Sequence, residues 1–179
     1  MKLKSIFLST ILIFSCDENR SGDQNLIDPH IIFSSRRWWN YDICIANAYD
    51  GFNRHHYLGL FCAPILASLG YPTLLHGIKE VSPKRGINHY KLLEYANKNP
   101  LKPIDIVHSE LDNPKIGWGY LDQSQFFPEL SQLTTLRQLM VKRPIIATIE
   151  KFLQPIQATS GNHIVTGYTH PPYRQTSIE

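Results

Sequence analysis

An α+β domain is the fold class this sequence predicts, and three observations lead there. Of 179 residues, 42% are apolar, 11% aromatic and only 18% charged, too apolar for a disordered chain and ordinary for one globular domain. No internal repeat or low-complexity run interrupts the stretch from about residue 31 onward, so a single unit of roughly 150 residues is expected. Segments with helical apolar spacing come first, and two β-rich runs come last. That order favours helices packed on a sheet over strict βαβ alternation.

The N-terminus predicts export. Met1 to Lys4 is a positive segment and Ile6 to Phe14 an apolar one broken only by Ser9 and Thr10. As a helix it would rise about 14 Å, half a bilayer core, which suits a signal peptide and not a span. Ile13-Phe14-Ser15-Cys16 resembles the lipobox of bacterial lipoproteins, which implies cleavage before Cys16 and lipidation there. The expected division is residues 1–15 as signal peptide, 16–30 as lipidated cysteine and polar tether, and 31–179 as the domain. Lipid at Cys16 would anchor the protein in the cell envelope, on the periplasmic or surface face. Eighteen basic against fifteen acidic residues give +3. Losing Lys2 and Lys4 leaves sixteen against fifteen, or +1, which excludes a strongly basic nucleic-acid footprint.

Within the domain, Ile31-Ile32-Phe33 predicts a strand, and Trp38 and Trp39 are expected to be buried or to border a pocket. Pro64 to Leu69 predicts a helix stopped by Gly70 and Pro72. Leu92, Leu93, Tyr95 and Ala96 predict a second over Tyr90 to Asn97, ending before Pro100. Ile104 to Val107 reads as strand, and Gly117 to Tyr120 as a loop whose Trp118 and Tyr120 belong to core or rim. Leu133, Leu136, Leu139 and Met140 predict a helix over Leu130 to Met140. Strands are expected at Ile145 to Ile149 and His163 to Tyr168.

The chemistry is sought among few combinations. There is no glycine-rich phosphate loop, no Gly-x-Ser-x-Gly elbow and no His-Glu-x-x-His helix, so no cofactor is expected. Adjacent His55 and His56 diverge on a strand or a helix, and no metal site is expected. Cys62 opens the apolar helix, where the helix dipole and an imidazole would favour a thiolate. His163 opens the last strand, which would hold such an imidazole rigidly. Cys44 is an alternative nucleophile, or a disulfide partner of Cys62 closing a loop of about 18 residues, worth roughly 3 kcal/mol; two buried thiols are the third reading.

Phe61-Cys62-Ala63-Pro64, Leu139-Met140-x-x-Arg143-Pro144-Ile145-Ile146-Ala147 and Asn162-His163-Ile164-Val165-Thr166-Gly167-Tyr168 resemble three segments of papain-like cysteine peptidases of the bacteriocin-leader-processing, double-glycine type. The resemblance implies a papain-like α+β fold, its N-terminal catalytic helix packed on an antiparallel sheet, with Cys62 as nucleophile and His163 as general base in peptide-bond hydrolysis. The family's oxyanion glutamine is missing: His56 stands at its position, with Asn53 nearby. The family's imidazole-orienting Asp or Asn is also missing, and His170 occupies that neighbourhood, as though the C-terminus were truncated. Peptide or protein substrates and the membrane are the expected partners. A degenerate peptide- or protein-binding domain of the same fold and a disulfide-stabilised structural lipoprotein are the alternatives.

Overall fold

A computed structural model of the chain describes residues 11–15, 42–46, 49–54, 56–140, 144–158 and 162–167. The helices and strands are β1 (Ile11–Ser15), β2 (Asp42–Ile45), α1 (Gly59–Ser68), β3 (Thr73–Gly77), α2 (His89–Tyr95), α3 (Ile104–Asp112), β4 (Trp118–Asp122), α4 (Gln123–Phe126), α5 (Pro128–Gln132), α6 (Thr134–Leu139), α7 (Ile146–Ile149), a 3-10 turn Glu150–Phe152, and β5 (Asn162–Gly167).

The sheet overturns the expected papain-like, antiparallel architecture. Its order is β1-β5-β2-β3-β4, and β5, β2, β3 and β4 are all mutually parallel. Only β1, at the outer edge of β5, runs antiparallel, Ser15 opposite His163. The fold class is therefore α/β. Parallel neighbours cannot be joined by hairpins, so each connection is a crossover carrying helices over one face or the other. Strand alternation then sorts the core. Cys44, Leu74 and Leu121 point to one face, where they meet Val107 and Leu111 of α3 and Phe126 of α4. Ile45, Leu75 and Tyr120 point to the other, where they meet Leu60 and Ala63 of α1 and Leu93 of α2.

Several elements differ from expectation for local reasons. Ile104 to Val107 is the first turn of α3, not a strand: Ile104, Val107 and Leu111 form one apolar stripe against the sheet, a 3.6-residue period that a four-residue window hides. Gly117-Trp118-Gly119-Tyr120 is strand, not loop, apart from Gly117, whose φ of +63° makes the turn into it. Gly119 lies where a Cβ would stand 2.9 Å from Val107 Cγ1, so its lack of a side chain lets α3 settle onto β4. Helix α1 begins five residues before Pro64, which therefore sits in its interior and leaves the Leu60 carbonyl without an α-helical partner. Ile145 to Ile149 is not a strand but lies largely in α7, with Ile145 and Ile149 exposed and Ala147 turned inward.

The expected helix over Leu130 to Met140 is two helices broken at Leu133, where the Thr134 hydroxyl donates back to the Ser131 carbonyl. Its apolar residues face outward. Leu133, Leu136 and Leu139 are exposed while Arg137 is 2% exposed, because the guanidinium is drawn to the fully buried Glu150 carboxylate, which also accepts from Gln123 Nε2 at 3.1 Å. One buried ion pair thus outranks an apolar stripe and ties α6 and the 3-10 turn to α4. Replacing Glu150 by Ala strands the arginine in the core and is expected to lower unfolding stability by about 3–5 kcal/mol, read from urea denaturation, with the Arg137→Met/Glu150→Leu pair recovering much of it. A loss under about 1 kcal/mol would show that the pair does not hold these elements together.

Candidate functional site

The parallel strands β3 and β4 end side by side, and the chain leaving them lines a cavity of about 390 Å³, within the range of small-molecule sites. Its polar lining comes from Lys79 and Glu80 beyond β3, Tyr90 of α2, Asp122 at the end of β4, Ser124 of α4, Ser131 of α5 and Thr134 of α6. Ligands of open parallel α/β sheets bind outside the carboxyl ends of the strands, because the connections there diverge to opposite faces and leave a crevice.

Each side chain is held by a local device. Asp122 caps α4: Oδ1 accepts from the Ser124 amide at 3.0 Å and the Ser124 hydroxyl at 2.6 Å, and Oδ2 from the Tyr120 hydroxyl at 3.4 Å. Burial raises the Asp122 carboxyl above the usual carboxylate range, and those three donors pull it partly back. Tyr120 is pushed well above a free phenol by burial first and by the Asp122 charge second. Asn88 fixes the loop after β3. Its Oδ1 accepts from Lys91 N at 3.0 Å as the cap of α2, while Nδ2 donates to the carbonyls of Ile78 at 2.8 Å and of Lys79 and Tyr49 at 3.3 Å. Lys79 then stands at the cavity with its ammonium 3.1 Å from Glu94 Oε1 and 5.4 Å from the Tyr90 ring centre. The hydrogen bond it donates to Glu94, more than any other influence, raises its pKa. The result is one cation, two carboxyl groups, Asp122 and a Glu80 that Lys91 holds at 3.0 Å, and several hydroxyls converging on one crevice.

Beneath the crevice lies a layer of histidine and tyrosine. The Tyr49 hydroxyl bonds His76 Nδ1 and the Tyr57 hydroxyl bonds His89 Nε2, and the rings of His89 and Tyr90 each meet Tyr120 edge to face. Burial, chiefly, lowers His76 to about 3 and His89 to about 4, from a usual 6.5. Both are neutral in the folded protein when an unfolded chain would already be protonated. Stability is therefore full above pH 6.5 and falls as pH drops from 6.5 toward 4 and then 3. The urea midpoint is expected to decline steadily between pH 7 and pH 4, and His89→Gln is expected to flatten that slope. A wild-type midpoint independent of pH over this range would contradict the neutral buried pair.

The residues singled out in the sequence lie elsewhere. Cys62 ends the first turn of α1, half-buried, its Sγ 4.0 Å from the Leu58 carbonyl and not among the free amides of the helix start. Burial raises its thiol pKa, the reverse of an activated nucleophile. His163, on β5 beside Ile43 of β2, shares its sheet face with Val165, two residues on, and Val165 packs in the cluster that Cys62 also touches. Cys44 is buried on the opposite face, its Sγ 3.7 Å from the Leu153 carbonyl. Cys44 and Cys62 are not bonded to each other, and the sheet between them replaces the disulfide reading. Asn53 is exposed and clasps a loop, its Nδ2 donating to the Lys84 carbonyl at 3.0 Å; His56 is exposed. Cys16, Ile31 to Phe33, Trp38, Trp39 and His170 lie outside the described residues. No trio of His, Cys, Asp or Glu among the described residues is placed to hold a metal ion.

Sequence reasoning missed Lys79, Asp122, Ser124, Ser131 and Thr134. A signal existed for two of them: Asp122 follows an apolar run and precedes Ser124 by two residues, the pattern of a carboxylate capping a helix at a strand's end. With Cys62 as the structure places it, iodoacetamide should modify it at pH 7 more slowly than free cysteine, and His163→Ala should leave that rate unchanged. Fast stoichiometric labelling abolished by His163→Ala would instead establish a Cys62/His163 dyad.

No family model matches the chain. It is 28% identical over 131 residues to an uncharacterized protein of Aquifex aeolicus (strain VF5), an alignment covering 73% of this chain and 36% of that protein. The chain thus spans little more than a third of the relative it matches.

Proposed function

We propose that this chain is a ligand-binding α/β domain whose crevice at the carboxyl ends of β3 and β4 takes a small metabolite bearing both hydroxyl groups and an anionic group, of the sugar-phosphate class. The observation that carries this reading is the cavity of about 390 Å³ with Lys79, Asp122, Ser124, Ser131 and Thr134 converging on it. Lys79 suits the anionic group and can exchange Glu94 for it. The Ser131 hydroxyl can donate to phosphate or ligand oxygens, those of Ser124 and Thr134 can do so by giving up the Asp122 and Ser131 acceptors they now bond, and Asp122 can accept from ligand hydroxyls. The Cys62/His163 peptidase is the second reading; in its favour is that α1, which carries Cys62, packs on the sheet face to which His163 and Val165 belong, and against it the raised thiol pKa.

Thermal unfolding with millimolar ribose 5-phosphate or glucose 6-phosphate tests the first reading, with the free sugars and inorganic phosphate as comparisons. A sugar phosphate at about 100 times its dissociation constant stabilises by roughly 2.7 kcal/mol, equivalent to several degrees in a chain of this size. Lys79→Ala and Asp122→Asn are each expected to weaken binding at least tenfold, or about 1.4 kcal/mol. If no sugar phosphate shifts the transition, or if neither variant changes the shift, the proposed site is wrong.

A further inference from the structure

Helix α1 is apolar on every side. From Tyr57 to Tyr71 the sequence holds no charged residue. Leu60 and Ala63 face the sheet, while Leu58, Phe61, Ile65 and Leu69 form a stripe on the opposite side, each more than half exposed. Tyr71, also more than half exposed, extends the stripe just past the helix end. Helices apolar all round are buried all round, since one face against solvent is enough to keep an ordinary surface helix polar there. Four large apolar residues at successive turns of one uncharged face make a patch, not scattered exposure.

We infer that this stripe is a self-association surface, covered by the same stripe of a second copy of the chain in an antiparallel, two-fold helix pair. The spacing is what singles out a second copy. A two-fold axis passing near Ala63 and Pro64 sets Leu58 against the partner copy's Leu69, and Phe61 against its Ile65, so each contact occurs twice and the pairing closes on itself. The absence of charge over this stretch removes the like-charge repulsion that a two-fold contact otherwise doubles. The exposed parts of these four side chains and Tyr71 amount to on the order of 500 Å² per copy, so the pair buries about 1,000 Å² in total, the lower limit of a specific interface. The cavity beyond β3 and β4 is lined by none of these residues, so dimer formation leaves it open.

Sedimentation velocity of the full chain, from roughly micromolar to hundred-micromolar concentration, tests this directly. The expected result is a monomer–dimer equilibrium across that range. Ile65→Lys, a change at an exposed position that leaves the inner face of α1 intact, is expected to raise the dissociation constant at least tenfold with far-UV circular dichroism unchanged. Ile149→Lys, which removes an equally exposed isoleucine of α7, is expected to leave the equilibrium as it was. A wild-type chain that stays monomeric at the highest concentration overturns the proposal. So does an equal effect of the two lysine variants, which marks general stickiness and not a defined interface.

Discussion

Parallel pairing of β2, β3, β4 and β5 is the constraint from which the rest of this molecule follows. Once Cys44 pairs beside Leu74, and Leu74 beside Gly119, with these four strands pointing one way, every connection between them must travel back across the sheet. Those returning segments are α1, α2 and α3, and the run from α4 to the 3-10 turn. They cover both faces, so the strands must be apolar on both sides, as Thr73–Gly77, buried at all five positions, shows. The same geometry brings the carboxyl ends of β3 and β4 together and sends Lys79 and Asp122 to one crevice. An antiparallel sheet of the same residues would separate those ends.

The interior polar groups divide into two kinds. Arg137 and Gln123 both donate to Glu150 Oε1, and this shared acceptor fixes where the short helices α4 and α6 sit. Since removal of one partner costs far more than the pair itself contributes, such a cluster selects one arrangement among several of similar apolar burial. His76, His89, Tyr49, Tyr57 and Tyr120 form a neutral layer under the cavity. They stiffen its floor by hydrogen bonds and edge-to-face ring contacts, and burial keeps the imidazoles uncharged at neutral pH.

Legibility from sequence followed how local each signal was. The strand at His163 and the helix over Leu92 and Leu93 were readable, because period and punctuation agree within a few residues. Ile104 to Val107 misled because its apolar residues satisfy a strand in four positions and a helix only when Leu111 is included. Leu133, Leu136 and Leu139 misled in the other direction. Their spacing is helical, yet the face they define is outward, decided by Glu150 more than ten residues away. Strand direction, the feature that changed the fold class, depends on pairings between Cys44, Leu74 and Ile164 that no local window contains. For the same reason Cys62 and His163 drew attention through motif resemblance, whereas the converging groups at Lys79 and Asp122 come from segments 43 residues apart and meet only because their strands are parallel neighbours.

The central claim is that the crevice beyond β3 and β4 is where this chain meets its ligand. An amide-resolved NMR titration with ribose 5-phosphate tests it most directly, since it reports where binding occurs as well as whether it does. Saturable shifts confined to Ile78 to Glu80, Asp122 to Ser124 and Ser131 to Thr134 are the predicted result. Shifts centred on Cys62 and His163, or none at millimolar ligand, would contradict it.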